Sequence, residues 1–197
     1  VISDKRFAGS DTLATSYALS AAVKKLGKVD IVFSGRQAID GDTAQVGPQV
    51  AEKLELAQIT YAEEVVSVTE NEIVIKRRLD RGVETVKTSF PVLITVHGNA
   101  NECRPRHAKR VIMYKNACSI SEGLQPIANS QRPMVKIEEW NADDINPDFS
   151  RLGMNGSPTK VKSIENVVLT SKENKIINNS ESEINELMKE LVTAHII

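Results

Sequence analysis

Two cysteines, Cys103 and Cys118, are all that this chain of 197 residues contains. They lack CxxC spacing and are too few for a disulfide scaffold, so reduced thiols in a cytoplasmic setting are the expectation. Aromatic residues make up only 4% of the chain, which leaves Val, Ile, Leu and Ala to build the core. No apolar run approaches the ~18 residues that a membrane-spanning helix needs. Lys and Arg number 25 against 26 Asp and Glu, so no global charge draws the chain to nucleic acid or to a membrane surface. Neither GxSxG nor HExxH occurs, and His97, His107 and His195 are not spaced with Cys or carboxylates in the manner of zinc ligands. A self-contained hydrolytic site is not expected.

What is present is a chain long enough to bury a full core. It opens on Val1-Ile2-Ser3, which reads as a buried strand. A strand with no unit before it, starting on Val and not Met, leads to the expectation that a front piece is absent. Ser10 or Asp11 then caps a helix in "TLATSYALSAAVKKLG". Leu13, Tyr17 and Ala21 share one helical face, Leu19, Val23 and Leu26 an adjoining one, and Gly27 suits the residue after the helix. Val29–Ser34 is a strand. The next helix starts either at Asp42, with Gln45 as a capping-box partner, or at Pro48. Strand and helix in alternation predict parallel pairing.

After Leu56 the pattern changes. "EVVSV", "NEIVIKRRL" and "ETVKTSF" read as strands, with Asp80-Arg81-Gly82 as turn chemistry. "PVLITV" is a short continuous apolar run of the kind buried on both faces of a sheet. A hairpin is therefore expected to be inserted before the sheet resumes. "MVKIEEW" is a further candidate strand. Residues 141–159, rich in Asn, Asp, Gly, Ser and Pro, read as an extended arm. Ser180 and Glu183 stand in capping-box spacing before a stripe of Ile184, Leu187, Met188, Leu191 and Val192. That helix needs a surface to dock on.

Two loops hold the candidate chemistry. "GRQAIDGDTAQV", Gly35 to Val46, joins a strand to a helix without a lysine. A helix start offers unpaired N–H groups and the positive end of a dipole, which bind phosphate unaided. Gly41 and Gly47 would permit close backbone approach; Asp40 and Asp42 would act as caps or hold ribose hydroxyls, and Arg36 and Gln37 would add polar contacts. A well-capped connection that binds nothing is the competing reading. "SDKRFAGSDT" also lies between a strand end and a helix start, and two such loops at one sheet edge form a ligand site. Phe7 there either covers a flat ring or plugs the core. A basic loop carries Arg104, Arg106, Lys109, Arg110 and Lys115. It reads as a solvated face, as a docking loop for an acidic partner, or, with little aromatic interleaving, as a nucleic-acid patch.

"GRQAIDGDTAQVGPQVAEKL", "KRRLDRGVETVKTSFPVLITV", "NECRPR" with "VIMYK", "NGSPTKV" and the terminal helix together resemble the β subunit of electron transfer flavoprotein, over essentially the whole chain. The usual N-terminal portion of that family, roughly a quarter of a typical subunit, has no counterpart here. The resemblance implies an α/β fold with an open, mostly parallel sheet of the adenine-nucleotide hydrolase-like (Rossmann-like) type. It implies a nucleotide-binding domain at 1–140, and an arm and helix at 141–197 packing on an α subunit that carries its own FAD. The versions "GDTAQVGP" and "FAGSDT" resemble the electron-bifurcating branch, in which the β subunit binds a second FAD where other members hold AMP. That flavin takes hydride from NADH and divides the electrons between a partner dehydrogenase, through the α-subunit FAD, and ferredoxin or flavodoxin.

The cofactor-binding positions so implied are Phe7, Ala8, Gly9, Ser10, Asp11 and Thr12, and Gly35, Arg36, Gln37, Ala38, Ile39, Asp40, Gly41, Asp42, Thr43, Ala44, Gln45 and Val46. The family's dehydrogenase-recognition loop falls on Arg104, Arg106, Ala108, Lys109 and Arg110. Members commonly read Asn-Glu-Pro-Arg-Tyr with a Leu anchor beyond it. Here Asn101-Glu102-Cys103-Arg104-Pro105 is followed by Ala108 and basic residues, so a different dehydrogenase is expected to dock. The competing implications are the AMP-containing, non-bifurcating type and, outside the family, an adenine-nucleotide-binding module like the universal stress proteins.

Overall fold

A computed structural model describes residues 1–115, 117–119, 121, 136–162 and 175–196. They form two compact units, Val1–Lys160 and Val161–Ile197.

The first unit is built on an open α/β sheet. Helix α1 (Thr12–Leu26) starts at Asp11, whose side chain accepts from the N–H groups of Leu13 and Ala14, and ends at Gly27 with φ 88°. Strand β1 (Ile31–Gly35) and helix α2 (Val46–Leu54) follow, then β2 (Ala57–Val68), β3 (Glu72–Leu79), β4 (Gly82–Ser89) and β5 (Val92–Val96). The order across the sheet is β1-β5-β2-β3-β4. β5 pairs parallel with both β1 and β2, and β3 and β4 extend the sheet antiparallel as the expected hairpin. β5 is an inner strand flanked by β1 and β2, and Val92, Leu93, Ile94 and Thr95 are all buried. Successive residues of a strand face opposite sides. Val92 and Ile94 accordingly pack with Ile59, Ala62, Ile73 and Ile75 on one face. Leu93 packs with Val50 and Ala51 of α2 on the other. Each such buried aliphatic side chain contributes about 1.5–3 kcal/mol of transfer free energy.

Three expectations need correction. Val1–Ser3 is not a buried strand of the sheet: Ile2 forms an isolated parallel bridge with Trp140, and Val1 is 69% exposed. α1 does not bury its bulky residues, since Leu13, Leu19 and Leu26 are exposed while Ala14, Ser16, Ala18, Ser20 and Ala22 are buried. The small residues allow close packing against α2 and against 142–152, and the buried hydroxyls of Ser16 and Ser20 donate to the carbonyls of Leu13 and Ser16. Residues 141–159 are not an arm. Ala142 and Leu152 pack with Ala18, Phe7 and Tyr17, and two 3₁₀ turns, Asp143–Ile145 and Phe149–Arg151, fold the segment onto α1. Its polar composition hides three widely spaced core residues, Ala142, Ile145 and Leu152.

A short helix, α3 (Ala108–Lys115), follows the basic loop. β6 (Cys118–Ser119) and β7 (Lys136–Ile137) pair parallel; of the candidate strand "MVKIEEW", Met134 and Val135 lie outside the described residues. In the second unit, α4 (Glu181–Thr193) is capped by Ser180, whose hydroxyl accepts from the Glu183 N–H. Glu183 answers not Ser180 but Asn178, accepting from its N–H at 2.6 Å. Ile184, Met188 and Val192 of the apolar stripe are exposed.

Candidate functional site

The two loops singled out in the sequence meet, though by another route than adjacent strands. α1 and α2 lie side by side with their starts together. The Thr12 hydroxyl donates to Gln45 Oε1 at 3.0 Å, and one turn on Ser16 Oγ lies 3.0 Å from Gln49 Oε1. The helix pairing therefore brings the turn at 8–12 and the loop at 36–45 to one end of the unit, where β1 and β5 also end. That is the edge at which open α/β sheets take ligands.

Neither start considered for α2 is the observed one. The helix begins at Val46, after Gln45, which makes no side-chain cap bond, and Pro48 sits inside the first turn, where no N–H is needed. Asp42 is not a cap. It has φ 48°, its N–H donates to the Ala38 carbonyl at 3.0 Å, and its carboxylate accepts from Gln37 Nε2. Asp40 turns back to accept from the Gly41 N–H at 2.8 Å. Both acidic side chains are thus occupied within the loop. Among the described residues the N–H groups of Thr43, Ala44, Gln45 and Val46 have no acceptor. Ala44 also has a left-handed backbone, φ 53°. Four consecutive unpaired N–H groups at a helix start form a cradle for an anion. Arg36 and Gly41 are exposed beside it, and Ile39 at the tip is 99% exposed.

Gly47 serves the scaffold. A Cβ there would lie 2.8 Å from Ser34 Oγ and 2.9 Å from Thr95 Cγ2, so the glycine lets α2 approach β1 and β5. A Cβ on Gly41 would meet nothing within 4 Å.

The 8–12 turn is fastened from far along the chain. Asp11 Oδ2 accepts from the Thr159 N–H at 3.1 Å and hydroxyl at 2.8 Å, and the Asp11 N–H donates to Ser157 Oγ at 2.9 Å. Burial pushes the Asp11 carboxyl up, but hydrogen bonds from Ala14, Thr159 and Leu13 outweigh it and hold the group below the usual range. Just upstream, Arg6 bridges Asp4 and Asp143, donating from Nη1 and Nη2 to Asp143 at 3.0 and 2.8 Å. Hydrogen bonds from Arg6, Ala142 and the Arg6 N–H hold Asp4 well below the carboxylate range. Phe7 packs with Ala18, Ala142 and Leu152, the core-plug alternative, and Gly9 at φ 72° lies against Met154. Ser157 and Thr159 were not singled out as site residues, because no local spacing marks a contact across 148 positions.

A neighbouring depression of about 560 Å³ is lined by Arg36, Tyr61, Arg78, Arg81 and His97. Tyr61 has φ 59° at a register break between Ile59 and Ala62, its N–H donates to Thr95 Oγ1, and its ring lies 6.3 Å from that of His97. Sequence reasoning missed both; a bulge inside an apolar strand leaves no compositional trace. The basic residues Arg104, Arg106, Lys109 and Arg110 are exposed, with Ala108 opening α3 between them. α3 also exposes Val111, Ile112 and Tyr114. No helix among the described residues is long and apolar enough to cross a membrane.

Residues 1–120 match the family described as "Electron transfer flavoprotein domain". The chain is 43% identical to "Electron transfer flavoprotein subunit beta" of Clostridium acetobutylicum over 162 residues, 82% of this chain and 55% of that protein. It is 42% identical to "Protein FixA" of Rhizobium leguminosarum bv. phaseoli over 83% of this chain and 55% of that protein. With "Protein FixA" of Azotobacter vinelandii it shares 36% identity over 99% of this chain and 66% of that protein. The chain spans about half the length of the first two of these relatives. It belongs to the electron transfer flavoprotein family.

Proposed function

We propose that this member of the electron transfer flavoprotein family acts as the β-type subunit of an electron-bifurcating complex. In this reading it pairs with an α subunit, binds FAD, and takes reducing equivalents from NADH. It then divides the electrons between a docked dehydrogenase and ferredoxin or flavodoxin. The observation that carries the reading is the run of four unpaired N–H groups at 43–46, held beside the 8–12 turn by the Thr12–Gln45 hydrogen bond.

The residues fit a dinucleotide. The amides of Thr43–Val46 hold a pyrophosphate without a counter-cation, because the helix dipole adds to their partial charges. The exposed Arg36 supplies the cation the loop otherwise lacks. Asp40 and Asp42, turned into the loop by Gly41 and Gln37, no longer face the anion. The 8–12 turn faces the far part of the ligand. The chain needs no acid, base or nucleophile of its own, since a bound flavin supplies two-electron uptake and one-electron release. The basic, partly apolar surface from Arg104 to Arg110 suits a dehydrogenase face carrying acidic and apolar groups.

The deciding measurement is the nucleotide content of the chain purified with its α subunit. Two FAD per heterodimer is expected. One FAD with one AMP would overturn the bifurcating reading and leave a one-flavin carrier; a nucleotide bound without flavin or partner would overturn the family-based function altogether.

A further inference from the structure

A second concavity stands apart from the cofactor loops. The outer sides of α1 and α2 and the segment at 144–151 enclose a half-open depression of about 530 Å³. Lys24 and Lys25 come from the last turn of α1, Lys53 from the last turn of α2 and Arg151 from the segment; the single carboxylate is Asp144. Among the described residues, Lys25 alone of these four cations has a side-chain hydrogen bond or ion pair. Its Nζ donates to the Asp144 carbonyl at 2.8 Å, stands 4.0 Å from the Asp144 carboxylate and lies over the Trp140 ring. Lys24, Lys53 and Arg151 form no ion pair among the described residues. Asp148, close to Arg151, is occupied in accepting from the Ser150 N–H at 3.0 Å and hydroxyl at 2.6 Å.

A helix C-terminus favours a nearby lysine, which accounts for Lys24 and Lys53 singly. It does not account for their convergence with Arg151, which belongs to neither helix. That convergence is unfavourable in the free protein: burial first, and then the charge of Arg151, lower the Lys53 pKa, with Asp11 and Glu52 opposing. Arg151 is held in place by the Tyr17 ring, 4.0 Å from its guanidinium carbon. The Tyr17 hydroxyl accepts from the Asp148 N–H at 2.8 Å, and its own proton has no acceptor among the described residues. Three cations without an ion pair among the described residues, from two helices and the segment at 144–151, thus line one depression.

We propose that this depression binds a small multivalent anion of the phosphate class, held by Lys24, Lys53 and Arg151 with Tyr17 as a wall. Its volume lies within the usual range for small-ligand sites. An acidic protein surface would call for a broad basic face, whereas these cations line a hollow. The site is independent of the cofactor assignment, since the loop at 36–46 contributes nothing to it.

The test is calorimetric titration of the chain, purified with its α subunit and with its nucleotide still bound, with pyrophosphate. One pyrophosphate site is expected in that nucleotide-loaded protein, to weaken steeply with salt, and to lose about tenfold in affinity in Lys53→Gln and again in Arg151→Gln. Should Arg151→Gln melt early, Lys24→Gln, at an exposed position, replaces it. Pyrophosphate binding seen only after the bound nucleotide is stripped, or unchanged in Lys53→Gln and Lys24→Gln, overturns the proposal. So does an acidic peptide that competes as well as pyrophosphate, which would assign the face to a protein partner. None of these results bears on flavin content.

Discussion

Thr12 and Gln45 stand at the starts of two different helices, and the hydroxyl of one donates to the amide oxygen of the other at 3.0 Å. This contact couples the 8–12 turn to the 36–45 loop. Thr12→Val removes it while keeping the side-chain shape. The expected cost is about 1 kcal/mol in stability and, on the proposed function, a clear rise in the rate at which bound nucleotide is released. A parent-like release rate would count against a joint role of the two loops in holding a nucleotide.

Asp11 caps α1 and receives Thr159 on its other oxygen. Asp11→Ala should cost about 1–2 kcal/mol. The folded carboxyl titrates below its ordinary value, so its contribution is present above the unfolded pKa of about 3.9. It is lost as pH falls through the lower folded value. Denaturant titrations of parent and Asp11→Asn should therefore differ by a constant amount near neutral pH and converge in acid. A gap that widens on acidification would reverse the sign of this assignment.

Gly47 and Gly41 make a matched pair. Gly47→Ala puts a methyl group against Ser34 and Thr95 and should lower stability by about 1–3 kcal/mol. Gly41→Ala meets open space and should stay within about 0.5 kcal/mol. Thermal melts of the two variants check the contrast.

Occupancy should separate from stability in the loop itself. Asp42 adopts φ 48°, so Asp42→Ile forces a β-branched residue into a strained backbone and breaks the bond with Gln37. On the proposed function it lowers flavin content in this chain and spares the α-subunit flavin. Unchanged stoichiometry in the purified pair would refute the loop assignment.

On the proposed function, charge reversal at Arg106 and Lys109 should weaken dehydrogenase docking at least tenfold and leave NADH binding intact. Both residues are exposed and belong to neither the 8–12 nor the 36–45 loop. Equal loss of docking and NADH binding would count against a docking role for this surface.

The sheet was legible because its signals are local. The run Val92–Val96 reads as a central strand from apolar continuity alone, and Asp80-Arg81-Gly82 marks the hairpin. The place of the 36–45 loop was legible for the same reason, since β1, loop and α2 follow one another in the chain, whereas the 8–12 turn has no strand of the sheet before it. Three things were not. α1 buries Ala and Ser in preference to Leu, because helix partners on two sides demand close approach and not bulk. The start of α2 at Val46 depends on strain at Asp42 and Ala44 that no propensity signals. The fold-back of 141–159 rests on a few core residues scattered through a polar stretch. What fastens the 8–12 turn, Ser157 and Thr159, lies almost a whole unit away.

That distance has a consequence for synthesis. Thr159 leaves the ribosome 148 residues after Asp11. Until then the turn has no far anchor, and closing so long a loop opposes early ordering. The end of the unit that bears the 8–12 turn is thus completed last. A nascent chain stalled before Ser157 would carry α1, α2 and the sheet but lack the turn's far anchor; on the proposed function, cofactor loading then waits for the end of the first unit's translation.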